Sequence, residues 1–153
     1  MSLVPDWAPN IHPLLVHFPI ALLCAAATVD VAGWAFRRNT LLRQIATLLY
    51  VLGTGGAVAA YVTGRAASQT IWLPGMAQAV LKQHWDWALR TVWFFAVFTV
   101  VRLLVLRPSR HQARPALVAA FALVGLVGIG VLLETGDRGG RLVYQHGVGT
   151  ARE

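Results

Sequence analysis

Apolar residues fall into four long runs along the chain, separated by shorter segments that hold most of the charged and turn-forming residues. Each run approaches the roughly 20 residues that a helix needs to cross about 30 Å of hydrocarbon. In lipid, every backbone polar group has to be bonded within its own segment, so each run is predicted to be a helix. The predicted helices cover about residues 13–36, 41–62, 85–106 and 115–133.

Residues at the ends of the runs agree with these bounds. Pro13 and Pro115 suit the first turn of a helix, where proline leaves no N–H without a partner. Asn39 offers a cap for the second helix, and Gly64 suits its C-terminal end. The segment from 64 to 83 has an apolar middle that is too short to span, so we expect it to lie along the membrane surface or to cap the helices.

The composition is that of a membrane protein. Of the 153 residues, 57% are hydrophobic and only 12% are charged, whereas roughly a quarter of the residues in a soluble domain are charged. The length allows one compact domain. We therefore predict a single all-α domain, an integral membrane four-helix bundle with antiparallel up-down topology, whose immediate partner is the lipid bilayer.

The positive charge indicates membrane topology and not nucleic-acid binding. A net charge of +7 would need a water-soluble face to bind nucleic acid, and here the arginines lie between apolar runs. The loops after the first and third helices contain no acidic residue but hold Arg37, Arg38, Arg43, Arg107, Arg110 and Arg114. The positive-inside rule then predicts that these loops are cytoplasmic and that both termini are outside. The N-terminal flank has Asp6 and no lysine or arginine, which argues against a cleaved signal peptide.

Four of the five histidines fall on the predicted outer side of the membrane: His12, His17, His84 and His146. Imidazole in or near a membrane is expensive to place and is a candidate for function. Histidines can also serve as helix caps, interfacial residues or buried groups that are simply hydrogen-bonded. The positions of the histidines therefore allow either a cofactor or metal site or a structural role.

Haem is the cofactor that best suits such a bundle, because its iron accepts two neutral imidazoles from different helices. Zinc or copper would need three or four convergent ligands, which the four histidines with Asp86 nearby could supply. Room for a cofactor could come from the small residues of the second and fourth helices, Gly53, Gly56, Ala57, Ala60, Gly64, Gly125, Gly128 and Gly130. The same residues are equally typical of close helix–helix packing.

Two motifs resemble a known bacterial family. The first runs from His12 to Pro19 with the sequence HPLLVHFP, and the second from Gly139 to Gly149 with the sequence GGRLVYQHGVG. Together with Asp30, Thr63-Gly64 and His84, they resemble the domain of unknown function 2231 family of four-helix membrane proteins over nearly the whole chain. Some members look fused to Rieske or cytochrome-type domains, which implies work near electron transfer in a bacterial inner membrane. The chain departs from the family after Gly64, where it has Arg65 in place of an expected acidic residue.

These observations lead to a prediction of a small b-type cytochrome or redox subunit with haem b near the outer face. His17 and His84 are predicted as axial ligands of the haem iron, because they come from parallel helices at similar depth. His12 and His146 lie nearer water and would support the ligands, hold a second haem or bond to propionates, and Arg90 could hold a propionate. The alternatives are a His-ligated metal protein and a cofactor-free subunit of a larger membrane complex.

Asp30 is the acidic residue most clearly embedded in an apolar run. It lies about 9 Å inside the predicted cytoplasmic boundary at 1.5 Å per residue, and Arg102 lies at almost the same depth of the third helix. Because charges within a membrane usually pair or face a polar cavity, we predict a contact between Asp30 and Arg102. Alternatively, Arg102 extends to the headgroups while Asp30 is neutral or bonds to Thr28, Thr47 or Arg43.

Overall fold

The computed structural model describes residues 10–36, 40–71, 73–106 and 115–150, and these contain helices and connecting turns but no β-strand. The helices are α1 (His12–Leu15), α2 (His17–Ala35), α3 (Thr40–Ala67), α4 (Ala77–Val105) and α5 (Pro115–Tyr144). Together, α1 and α2 form one apolar span, and with α3, α4 and α5 the described residues hold four helical segments long and apolar enough to cross a membrane. The prediction of an all-helical chain with four such segments is confirmed.

The break between α1 and α2 falls at Val16. Proline has no N–H, so Pro19 cannot donate to the carbonyl of Leu15, and the helical ladder is interrupted at that point. The amide of Val16 still bonds to the carbonyl of His12, and the amide of Ile20 to that of Val16. The chain therefore keeps its general direction through the break.

Three helices extend beyond their predicted ends, so the predicted bounds were too short. The second span continues to Ala67, the third begins at Ala77, and the fourth continues to Tyr144, which shortens the connection between α3 and α4 to residues 68–76. The bounds were taken from the apolar runs, whereas the added turns carry polar residues. Ion pairs between residues four apart stabilise these turns, as between Lys82 and Asp86 at 2.9 Å and between Arg141 and Asp137 at 2.8 Å.

The four spans pack around a common core, and each span has two of the other spans as neighbours. Both α2 and α4 pack against α3 and α5. Within the described ranges no backbone contact joins α2 to α4 or α3 to α5, so these two pairs lie on the diagonals of the bundle. A contact between α2 and α4 must therefore be made by side chains that reach across the centre.

Large side chains fill the middle of the core, where helix glycines let the neighbouring helices approach. Tyr50, Phe95, Phe98 and Phe121 pack with Leu23 in one cluster. A Cβ on three of the helix glycines at this level would overlap protein side chains, namely Gly53 on Leu23, Gly125 on Tyr50 and Gly128 on Phe94 and Phe95, and a Cβ on Gly56 would be in van der Waals contact with Pro19. At the centre of the bundle, the small residues therefore serve close packing of the helices.

The outward faces of the helices are apolar. Large hydrophobic side chains exposed on all four spans include Phe18, Leu48, Trp93, Leu123 and Val127. Apolar side chains that cover the outward faces of all four spans are what contact with lipid requires. Of the six arginines that predict the orientation, Arg43 lies within the described residues and the other five lie outside them.

Candidate functional site

His12 and His84 lie near each other at one end of the bundle, close enough for electrostatic interaction between their rings. We call this end the histidine end. His12 opens the first span and lies against the last turns of α3, where a Cβ on Gly64 would come within 2.8 Å of its ring. Nδ1 of His12 lies 3.4 Å from the Thr63 hydroxyl. Thr63 thus positions His12 by a polar contact, and Gly64 lets the ring approach α3 because it has no side chain.

His84 is held in a similar way by α5. Its Nδ1 lies 3.0 Å from the carbonyl oxygen of Thr135, and a Cβ on Gly139 would come within 3.1 Å of its ring. The Thr135 hydroxyl lies 2.8 Å from the hydroxyl of Thr91, which follows His84 by two turns of α4. Each histidine therefore rests on a glycine of a neighbouring helix and bonds to an oxygen of the same helix.

These contacts define which ring nitrogen carries the proton in the neutral form. A carbonyl oxygen only accepts, so Nδ1 of His84 donates to Thr135. The Thr63 hydroxyl lies 2.9 Å from the carbonyl of Ala59 and 3.1 Å from that of Ala60, to which it donates. It therefore accepts from Nδ1 of His12. Both imidazoles keep Nε2 as the nitrogen with a free lone pair, which is how metal-binding histidines are commonly arranged.

His17 lies on another face of the same span. It is exposed, and its Nδ1 lies 3.0 Å from the carbonyl oxygen of Pro13. Five residues separate it from His12, which is nearly half a turn away in direction around a helix. The structure therefore brings His84 to His12 and not to His17. Because α4 begins at Ala77, His84 lies in the third turn of this helix, level with the start of the first span.

His146 and Arg90 lie outside the pair. His146 is half-buried in the turn after α5. This turn is an αL cap, in which Gly147 has a φ of +64° and its amide bonds to the carbonyl of Val143. Arg90 is exposed, and its guanidinium lies over the ring of Trp87. Their predicted roles near a cofactor stay predictions.

Within the part of the chain that the structure describes, no group of three or more histidine, cysteine or acidic side chains is arranged to hold a metal ion. A zinc or copper site with three or four protein ligands is therefore not formed by these residues. The histidine end offers two imidazoles, which is the number that haem iron accepts from a protein.

The family model described as "Predicted membrane protein (DUF2231)" matches residues 8–152. The chain belongs to this family. The matched range includes all four spans and both motifs that carry histidines. No curated protein and no solved structure matches the chain.

The DUF2231 chain has a second polar cluster at the other end of its core. Nη1 and Nη2 of Arg102 donate to the two carboxylate oxygens of Asp30 at 2.6 and 2.7 Å, and both side chains are buried. Nε of Arg102 donates to the Thr47 hydroxyl at 3.0 Å. Asp30 and Arg102, which were predicted to meet because they lie at the same depth, thus lie side by side. Each of the three guanidinium nitrogens of Arg102 donates to a partner within the bundle.

Sequence reasoning missed the residues that position these groups. Thr63 stands within a family motif and Thr135 ends the last apolar run, so their places in the sequence were visible but their bonds to histidine were not. Tyr50 is completely buried beneath Arg102, with the guanidinium carbon 5.3 Å from the ring centroid. One polar residue in a long apolar run gives no hint of such a contact, since a tyrosine there could equally face lipid headgroups.

Proposed function

We propose that this protein is a small b-type haem protein of the membrane that transfers electrons, with His12 and His84 as axial ligands. The observation that carries the proposal is the pair of neighbouring imidazoles on diagonal spans, each with Nδ1 within hydrogen-bond distance of an oxygen of a neighbouring helix. The proposal replaces His17 by His12 in the predicted ligand pair, because His17 is exposed and bonds to Pro13.

The surroundings of the two histidines fit this cofactor. His12 and His84 would hold the haem iron, and each ring packs against a glycine of a neighbouring helix, Gly64 of α3 and Gly139 of α5. Side chains larger than hydrogen at those two positions would occupy the space beside the rings. The hydrogen bonds from Nδ1 orient each ring and raise the basicity of its Nε2.

Electron transfer is the activity that this ligand set favours. Haem held by two protein imidazoles would supply one-electron exchange. The residues of the chain would then act by holding the ligands, excluding water and setting the potential through hydrogen bonds and burial. A redox partner in a larger membrane complex would complete the function.

We further propose an up-down bundle in a bacterial inner membrane, with the histidine end and both termini outside. In support, the start of the first span lies against the end of α3, and the third turn of α4 lies against the end of α5. The loop arginines predict that the opposite end faces the cytoplasm. The haem would then lie near the outer surface.

A cofactor-free subunit of a membrane complex is the second candidate. The observation that favours it is the packing of the core, where protein side chains already fill the space beside Gly53, Gly56, Gly125 and Gly128. On this view the histidines, with Thr63 and Thr135, cross-link the spans. Both candidate functions are consistent with the same fold, and they differ in whether the histidine end binds haem.

A visible spectrum of the protein, purified after growth with ample haem, separates the two candidates. We expect a Soret band that shifts and sharpens on reduction, and strongly reduced haem content in H12A and in H84A. H17A is the matched control, since it removes an exposed imidazole of the same span, and it should keep its haem. Colourless wild-type protein would support the cofactor-free subunit. Loss of haem in H17A with retention in H12A would restore the original ligand pair.

A further inference from the structure

Two arginines from different helices lie over the ring of Trp87 near the histidine end. The guanidinium carbon of Arg90 is 4.8 Å from the ring centroid, and that of Arg138 is 4.9 Å from it. Arg90 follows Trp87 by one turn of α4, and Arg138 belongs to α5. The indole thus holds two guanidinium groups near the seam between α4 and α5, within about 10 Å of each other.

This cluster lies at the edge of the apolar layer. After Arg90, α4 has no charged residue until Arg102, and α5 has none from Pro115 until Glu134. Because Thr91 and Thr135 contact each other, Arg90 and Glu134 lie at the same level on the two helices. Tryptophan and arginine at this level are typical of the boundary between hydrocarbon and headgroups, where phosphate groups lie.

The cluster carries positive charge that its neighbours do not fully balance. Arg138 pairs with Glu134 through Nη1, which also donates to the Glu134 carbonyl at 2.9 Å. Nε of Arg138 is buried and has no hydrogen-bond partner within the described part of the chain. Arg90 makes no ion pair with any of the residues that the structure describes, whereas Lys82 and Arg141 at the same end are each paired with an acidic residue. The guanidinium of Arg90 is therefore available to an external anion, and it lies beside that of Arg138, which Glu134 holds in place.

We propose that Trp87, Arg90 and Arg138 form a binding site for the phosphate group of an anionic phospholipid. The planar fork of a guanidinium matches the geometry of phosphate oxygens. Stacking on an indole already restricts the arginine side chain, so that less conformational entropy is lost when phosphate binds. Arg90 was predicted to hold a haem propionate, but its exposed place at the edge of the apolar layer suits a lipid phosphate better. The site does not depend on haem.

The test compares spin-labelled phosphatidylglycerol with spin-labelled phosphatidylcholine in phosphatidylcholine vesicles that contain the full-length protein. Electron spin resonance gives the association constant of each label relative to the bulk lipid. We expect the wild-type protein to prefer phosphatidylglycerol, and R90Q to lower that preference by roughly fivefold, the effect of one arginine near a membrane surface. Arg90 is exposed and R90Q should fold normally. R138Q should act in the same direction.

K82Q is the matched control, because it removes one positive charge from the same end at a residue that is paired with Asp86. It should leave the preference unchanged. Equal losses in K82Q and R90Q would show a general charge effect and overturn the site, as would a wild-type protein without preference. Displacement of the labelled lipid by millimolar inorganic phosphate would assign the site to free phosphate and contradict a lipid site. Haem content is measured separately, so either proposal can fail alone.

Discussion

Arg102 donates one hydrogen bond to each carboxylate oxygen of Asp30, which joins α4 to α2 across the diagonal of the bundle. The two residues are 72 positions apart in the chain, and the same separation relates His84 to His12 at the other end. The ion pair therefore fixes the register of α2 and α4 at its own end of the bundle, and the same register places His12 near His84 at the other end. Backbone packing cannot do this, because these two helices contact each other only through side chains.

Breaking the buried pair should be costly. D30N and R102Q should each lower the free energy of unfolding by about 3–5 kcal/mol, because each leaves a buried charge without its partner. The double variant should cost less than the sum of the two. Unfolding by denaturant in detergent micelles measures all three values. The control is the exposed pair of Lys82 and Asp86, whose removal should cost less than about 1 kcal/mol. Additive effects of D30N and R102Q would contradict the contact.

The hydroxyl group of Tyr50 should add nothing to stability. Tyr50 is completely buried, and its hydroxyl has no hydrogen-bond partner among the residues that the structure describes. Y50F therefore removes a desolvated polar group and keeps the ring. We expect the free energy of unfolding to stay the same or to rise by about 1 kcal/mol. A clear loss of stability in Y50F, measured in the same micelles, would mean that the hydroxyl has a partner.

Gly125 and Tyr50 should be coupled. A Cβ on Gly125 would overlap the Tyr50 hydroxyl, whereas the next ring atom is 3.4 Å away. G125A should therefore destabilise the protein by about 1–3 kcal/mol, and adding Y50F should restore most of that loss. G130A is the control, since nothing lies within 4 Å of its Cβ. Thermal unfolding of the four variants checks the rescue, and its failure would place the clash elsewhere.

The stability of the protein should be sensitive to a methyl group added at the histidine end. A Cβ on Gly64 or Gly139 would approach His12 or His84 more closely than carbon atoms normally do, so G64A and G139A should each cost about 1–3 kcal/mol. On the haem proposal, both variants should also lose haem. G55A adds the same methyl group on α3 with nothing within 4 Å and should be neutral in both measurements. If all three variants behave alike, the glycines do not position the rings.

The orientation in the membrane can be tested with fusions after Glu153. A reporter active only outside the cytoplasm should be active there, because the loop arginines predict both termini outside. A reporter active only in the cytoplasm should be silent at the same position. The reverse pattern would turn the bundle over and place His12 and His84 on the inner side.

By itself the sequence determined the membrane character, the helical class and the number of spans. The physical reason is the bilayer, which demands apolar runs of a certain length and leaves the backbone no partners outside its own helix. Because each span crosses the same thickness of hydrocarbon, the depth of a residue follows from its position in the run. On this basis Asp30 and Arg102 were predicted to meet. Both residues lie within apolar runs, where counting residues gives position.

Only the tertiary structure decided which histidines meet. His84 lies beyond the apolar run of its helix, and hydropathy does not show how far a helix continues into polar surroundings. The added turns of α4 and α5 bring His84 level with His12, and the direction of each side chain around its helix turns His17 away. The positions of Thr63, Gly64, Thr135 and Gly139 around the rings depend on the same packing. Contacts between side chains of different helices follow from register and rotation, which a hydrophobic pattern in one helix does not contain.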